Sequence, residues 1–179
     1  MYHKKIEFSN AILKDRIQII EDSEYKLTFR TYLEPDGGQH ELHYHTKLNE
    51  KFKIIQGELN VMIDNEEKTL IVGDEQTITN FTNHRFYNAS SKQVIFDVEV
   101  LNPKKMMNAL QIMYGLVEDG KTNAKGLPNN IFHTAIGLQM MDAFSPKIPY
   151  FIQKFGISIL AILGRILGIE KKLIKKYCK

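Results

Sequence analysis

Between residues 37 and 57 this chain of 179 residues sets chemistry-bearing side chains at fixed intervals. Gly37 is followed after five residues by His43-Tyr44-His45, after four more by Glu50, and after six more by Gly57. A second group follows with Gly73, His84 and, four positions on, Asn88. Side chains two apart on a strand point the same way, so His43 and His45 share a face. Glu50 shares its face with Phe52 and Ile54, the apolar and therefore inward face of the next run. A strand pair joined by a short turn brings Glu50 beside the two histidines. His84 stands on one face with Phe86 and Asn88. Three imidazoles and one carboxylate converging inside a barrel suit one divalent transition metal: Fe, Mn, Ni, Cu or Zn. Four such ligands leave one or two positions open on a five- or six-coordinate ion, where substrate or water binds.

The elements that must position these residues are strands. Residues 25–33 alternate, with Leu27, Phe29, Thr31 and Leu33 on one face and Lys26, Thr28, Arg30 and Tyr32 on the other, and Pro35-Asp36-Gly37-Gly38 ends the run in a turn. Residues 51–56 alternate again. Turns are expected at Gln56-Gly57-Glu58, at residues 64–67 and at Val72-Gly73-Asp74. Residues 94–100 put Phe96, Val98 and Val100 inward and Asp97 and Glu99 outward. Many short strands at this spacing predict a sandwich or barrel over residues 1–102.

At Asn102-Pro103 the texture changes. Residues 104–117 carry Met106, Met107, Leu110, Met113, Tyr114 and Val117 at helical spacing. A second helix is predicted over residues 131–144 and a third from Pro149 to Tyr177, so residues 103–179 read as a three-helix extension. The two parts differ in charge: residues 1–102 hold 12 Lys and Arg against 17 Asp and Glu, whereas residues 103–179 hold 12 against 4. A split of this kind points to a partner for the basic part.

The glycine, histidine and glutamate spacing strongly resembles the two sequence motifs of the cupin superfamily. The first motif matches throughout, at Gly37, His43, His45, Glu50 and Gly57. The second matches at Gly73, His84 and Asn88 and departs where the family usually has Pro and Gly, here Thr79 and Phe81. The resemblance covers roughly residues 25–101. It implies a mainly β fold, a double-stranded antiparallel jelly-roll barrel, with His43, His45, Glu50 and His84 as the metal ligands.

Other residues carry less. His3, His40 and His133 are expected to be ordinary surface or packing histidines, with a place beside the ligands or at the pocket mouth as the alternative for His40, which precedes the ligand pair on a loop. Tyr44 and Arg85 should point away from the ligands. Phe52, Ile54, Phe86 and Phe96 are candidates to line a substrate pocket, with core packing as the plainer role. Cys178, the only cysteine, can form no intrachain disulfide and reads as an inert terminal thiol. The opening residues lead into no apolar stretch, so a cytoplasmic location is expected.

Residues 148–169 are the most apolar of the chain, yet Lys154 and Arg165 bracket only ten uncharged residues, too few for a membrane span. As a helix they place Ile152, Phe155, Ile159, Ile162, Leu163, Ile166 and Leu173 opposite a polar stripe. Packing on the barrel or in a homodimer is the expected fate of that face, and a membrane surface met with Lys171, Lys172, Lys175 and Lys176 is the alternative. Nucleic acid is excluded as a partner: the basic residues are not interleaved with aromatics, and the barrel is acidic. A metal-binding protein that holds a small organic molecule, as a dioxygenase-like or isomerase-like enzyme, is the leading expectation. A non-catalytic sensing module and a peripheral protein acting on lipid-like ligands are the alternatives.

Overall fold

A computed structural model of the chain describes residues 6–178. The barrel is built from ten strands: β1 (Glu7–Asn10), β2 (Asp15–Asp22), β3 (Lys26–Leu33), β4 (Tyr44–His45), β5 (Asn49–Gln56), β6 (Leu59–Ile63), β7 (Glu66–Leu70), β8 (Glu75–Ile78), β9 (His84–Tyr87) and β10 (Val94–Leu101). Three further segments are helical at first, α1 (Met106–Glu118), α2 (Ile131–Met141) and α3 (Tyr150–Ile166). A short strand β11 (Ala143–Phe144) stands between the last two, and α4 (Ile169–Tyr177) ends the described chain.

Six strands form one sheet in the order β1-β2-β3-β10-β5-β8, and three form the facing sheet, β7-β6-β9, with all pairs antiparallel. The inward alternation holds as the sequence predicts: Leu27, Phe29, Thr31 and Leu33 of β3 and Val94, Phe96, Val98 and Val100 of β10 are buried. Each large apolar side chain so removed from water contributes about 1.5–3 kcal/mol. The hairpin β1–β2 extends this sheet and pairs Ile17 with Thr31 in register.

Two of the predicted helices end differently. The second stops at Met141, not at residue 144. Asp142 takes a left-handed conformation (φ 50°), and its carboxylate accepts from the backbone N–H groups of Thr46 and Lys47, both at 2.7 Å. The chain so anchored pairs β11 with β4, Ala143 against His45. The third is broken at Gly168, whose φ of +71° no helix interior accommodates, so that α3 and α4 meet at 79°. No single helix among the described residues is long and apolar enough to cross a membrane.

The helical part is not a detached appendage. Met106, Met107, Leu110 and Tyr114 of α1 are buried with the barrel core. The opposite side of the same helix, through Ala109, Ile112 and Leu116, packs with Ile136 of α2, Ala161 of α3 and Leu173 of α4 in a second core.

Candidate metal centre

His43 and His84 are direct cross-strand partners. Each donates its backbone N–H to the other's carbonyl, at 3.1 and 2.8 Å, and their ring centroids lie 4.4 Å apart. His45 lies on the same side of the chain as His43, its ring 5.1 Å from that of His43 and 5.5 Å from that of His84. The three imidazoles each present a ring nitrogen, all within 4.8 Å of one another, the spacing of a group that could hold a metal ion.

Glu50 reaches them by a route the sequence did not indicate. β4 pairs with β11, not with β5, so the short connection after His45 carries the chain from one sheet to the other. Glu50 then faces the imidazoles across the barrel interior, with Oε2 3.2 Å from His84 Nε2 and Oε1 3.5 Å from His45 Nε2. His45, Glu50 and His84 are all buried.

The outer ring nitrogens are tied to backbone carbonyls. His84 Nδ1 lies 3.0 Å from the Thr82 carbonyl, and His45 Nδ1 lies 3.0 and 3.2 Å from the carbonyls of Met141 and Asp142. A carbonyl only accepts, so each Nδ1 bears the proton and each Nε2 points inward. A neutral His84 ring then turns a lone pair on the Glu50 carboxylate, an arrangement satisfied only by a proton or a cation between them. His45 Nε2 is buried without a hydrogen-bond partner. This donor set fits a divalent transition metal.

Electrostatics agree with a site shaped for charge. Burial, together with the neighbouring His84 and His45, pushes His43 down to about 3. Burial also opposes a charge on His45, but Glu50 and the Asp142 carbonyl outweigh it and raise its pKa. Burial favours a neutral Glu50, yet His45 and His84 hold it well below the ordinary carboxylate range. The cluster holds a buried carboxylate opposite imidazoles whose inward lone pairs are free to meet a cation.

A cavity of about 250 Å³ opens beside His43, His45 and Glu50. On the barrel side it is lined by Phe29, Phe52, Phe86 and Val98, and on the helical side by Met106, Leu110, Met113, Leu138 and Met141. Polar groups are few: Asn10, Gln39, His40, Glu41, Tyr114 and Lys125. Phe52 and Phe86 thus reach the cavity, whereas Ile54 and Phe96 are buried in the core and are not part of its lining. His40 stands at the lining, and His133 takes no part in the histidine group. His3 lies outside the described residues.

The methionines of the helical side were visible in the sequence as a helix face, but nothing in their spacing said that they close the barrel. Tyr44 is buried and stacks between Phe81 and Phe144, with centroids at 6.3 and 5.7 Å. Phe81, one of the two departures from the motif, takes a left-handed backbone (φ 64°) and donates its N–H to the His45 carbonyl at 2.7 Å. The loop before His84 therefore keeps a conformation typical of glycine, at a cost of roughly 1–2 kcal/mol. Cys178 is half-buried, its thiol 3.7 Å from the Asn108 carbonyl and its pKa raised by burial, so the nearby lysines do not activate it.

Comparison with known proteins gives the same fold. Residues 29–101 match the family model of the cupin domain. A sugar phosphate isomerase of the cupin superfamily from Silicibacter pomeroyi is similar in structure at a TM-score of 0.51 and 18% identity, over 54% of this chain and 71% of that one. An RmlC-like cupin from Shewanella frigidimarina is similar at a TM-score of 0.50 and 13% identity, over 56% and 86%. Among curated proteins none matches the chain in sequence.

Proposed function

Residues 29–101 of this chain are a cupin domain, and on that premise we propose that the protein binds one divalent transition metal and seats a small, largely apolar organic molecule beside it, as a metal-dependent enzyme does. The supporting observation is the meeting of two features at one place: inward-turned imidazole nitrogens around a buried carboxylate, and an apolar cavity opening on them. His43, His45 and His84 would hold the ion through ring nitrogens, with Glu50 supplying an oxygen. When bound, such an ion supplies Lewis-acid or redox chemistry.

The chain's own residues do the rest. The Met141 and Asp142 carbonyls and the Thr82 carbonyl orient the His45 and His84 rings, the role that outer hydrogen bonds play in metal sites generally. Phe29, Phe52 and Phe86 exclude water and pack the apolar body of the ligand. Sugar phosphate, the substrate class in the name of the Silicibacter protein, suits this cavity poorly. Its lysine, Lys125, is already paired with Glu41 at 2.5 Å, and the walls are Phe and Met.

The test is a pair of titrations of the Co(II)-loaded protein, followed by visible absorption. Benzoate and acetate offer the same carboxylate, and only benzoate carries an apolar ring. Benzoate is expected to perturb the Co(II) bands at concentrations at least about tenfold lower than acetate. Equal potency of the two would contradict an apolar ligand beside the metal, and failure of the protein to take up Co(II) would contradict the site itself.

A further inference from the structure

Helix α3 is turned inside out. The residues it buries against the rest of the molecule are small, Ala161 and Gly164, and the side chains it turns outward are large and apolar. Phe151, Phe155 and Ile166 are 81%, 70% and 75% exposed, and Ile152, Ile159 and Ile162 are exposed on the same side. These positions recur at helical spacing and form one stripe along the whole outer face. At its first turn the stripe meets the barrel: Tyr150 packs edge-on against Phe81, centroids 6.5 Å apart, and Phe81 is itself exposed.

The margin of the stripe is basic. Lys154 and Arg165, three turns apart, share one flank of α3. On Arg165's side lies an outer cleft of about 390 Å³ that is also lined by Lys47, Lys104 and Lys105. Lys105 and Arg165 are tied to Glu170 at 2.8 and 2.5 Å. Lys47, Lys104, Lys154, Lys171, Lys172 and Lys175 form no ion pair among the described residues. Over residues 145–179 the chain carries eight Lys and Arg against Glu170 as its one acid.

We propose that the outer face of α3, with Phe81 at its barrel end, lies in the surface of an anionic phospholipid membrane, its basic margin facing the headgroups. Charge decides this occupant over a second copy of the chain. Two copies meeting through this face would bring like-charged margins together at the rim, which weakens association. Anionic headgroups meet the same lysines favourably, and an apolar helix face with a cationic edge is the pattern of helices that lie in the membrane plane. Since α3 is too short to span and α4 departs from it at 79°, the contact is with one surface.

Sedimentation of the full chain with phosphatidylcholine vesicles, and with vesicles of phosphatidylcholine and phosphatidylserine, tests this. The protein is expected to pellet with the phosphatidylserine vesicles, less so as salt is raised, and not with phosphatidylcholine alone. Phe155→Glu should weaken the partitioning by more than about tenfold, and Lys171→Gln and Lys172→Gln by ~fivefold each. Circular dichroism should show both kinds of variant folded, since the altered side chains are exposed. Three outcomes would overturn the proposal: no pelleting with either vesicle, equal pelleting with both, or pelleting that Phe155→Glu leaves unchanged. A dimer in analytical ultracentrifugation that Phe155→Glu splits would assign the face to a second copy instead.

Discussion

Strand β10 and helix α3 obey opposite rules. In β10 the large apolar residues Val94, Phe96, Val98 and Val100 all point inward and the charged Asp97 and Glu99 point out. In α3 the large apolar residues point out, and the contact with α2 is made by glycine and alanine. A side chain at Gly164 would come within 2.9 Å of the Ile136 side chain, so α2 rests its side chains directly on the backbone of α3. The barrel strand gains its stability from what it buries. The helix is held where α2 side chains meet its small residues, and it keeps its large apolar side chains on the outside.

Equal substitutions in the two regions should therefore have unequal effects, and the largest contrast is between two phenylalanines. Phe96→Ala is expected to lower the unfolding free energy by about 3–5 kcal/mol. Phe155→Ala should change it by less than about 0.5 kcal/mol. Urea unfolding of both variants measures the difference, and similar losses would mean that α3's outer face is covered within the molecule.

The seam between the two regions should respond to pH. Tyr114 of α1 donates its O–H to Asp15 of β2 at 2.7 Å, while the other carboxylate oxygen of Asp15 is buried without a partner. Burial raises the Asp15 pKa from 3.8 to about 7, although the Tyr114 hydrogen bond pulls the other way. Between these values the folded chain holds more protons than the unfolded one. Stability from this group is thus full below the lower value and falls as pH rises through the folded one, by up to about 1.4 kcal/mol per pH unit. Asp15→Asn, which still accepts from Tyr114, should flatten the fall in melting temperature between about pH 4 and pH 7, the window set by the two pKa values. An unchanged profile would contradict the assignment.

The histidine cluster and the inward faces of the barrel were legible because a period of two and a fixed spacing are local properties of the chain. The conformation at Asp142 was not, because it depends on Thr46 and Lys47, almost a hundred residues away in sequence, donating to its carboxylate. The carbonyls that orient His45 follow from that same turn and were invisible for the same reason. Of the phenylalanines on inward strand faces, the pattern could say that Phe52, Phe86 and Phe96 are buried, but not which of them border a cavity. That depends on the helices packed above. The apolar stripe of α3 was plain in the sequence, yet amphipathicity tells which face leaves water and not what covers it. The break at Gly168 does have a local signal, since glycine in a left-handed turn is the ordinary way to end a helix, but the apolar spacing runs on through it to Leu173.

A smaller contrast than that between the phenylalanines is expected between two glycines of α3. Gly164→Leu should push α3 from α2 and cost about 1–3 kcal/mol. A side chain at Gly156 meets nothing within 4 Å, so Gly156→Ala should raise stability by about 0.5–1 kcal/mol through the backbone alone. A neutral Gly164→Leu would mean that α3 is not held by close approach to α2.

The most direct measurement is elemental analysis of the protein purified without an affinity tag or chelator, alongside His84→Ala and His133→Ala. About one equivalent of Fe, Mn, Ni, Cu or Zn is expected in the parent protein and in His133→Ala, with most of it lost in His84→Ala. Equal metal content in the two variants, or none in the parent even after reconstitution with each ion, would contradict a metal centre at these histidines.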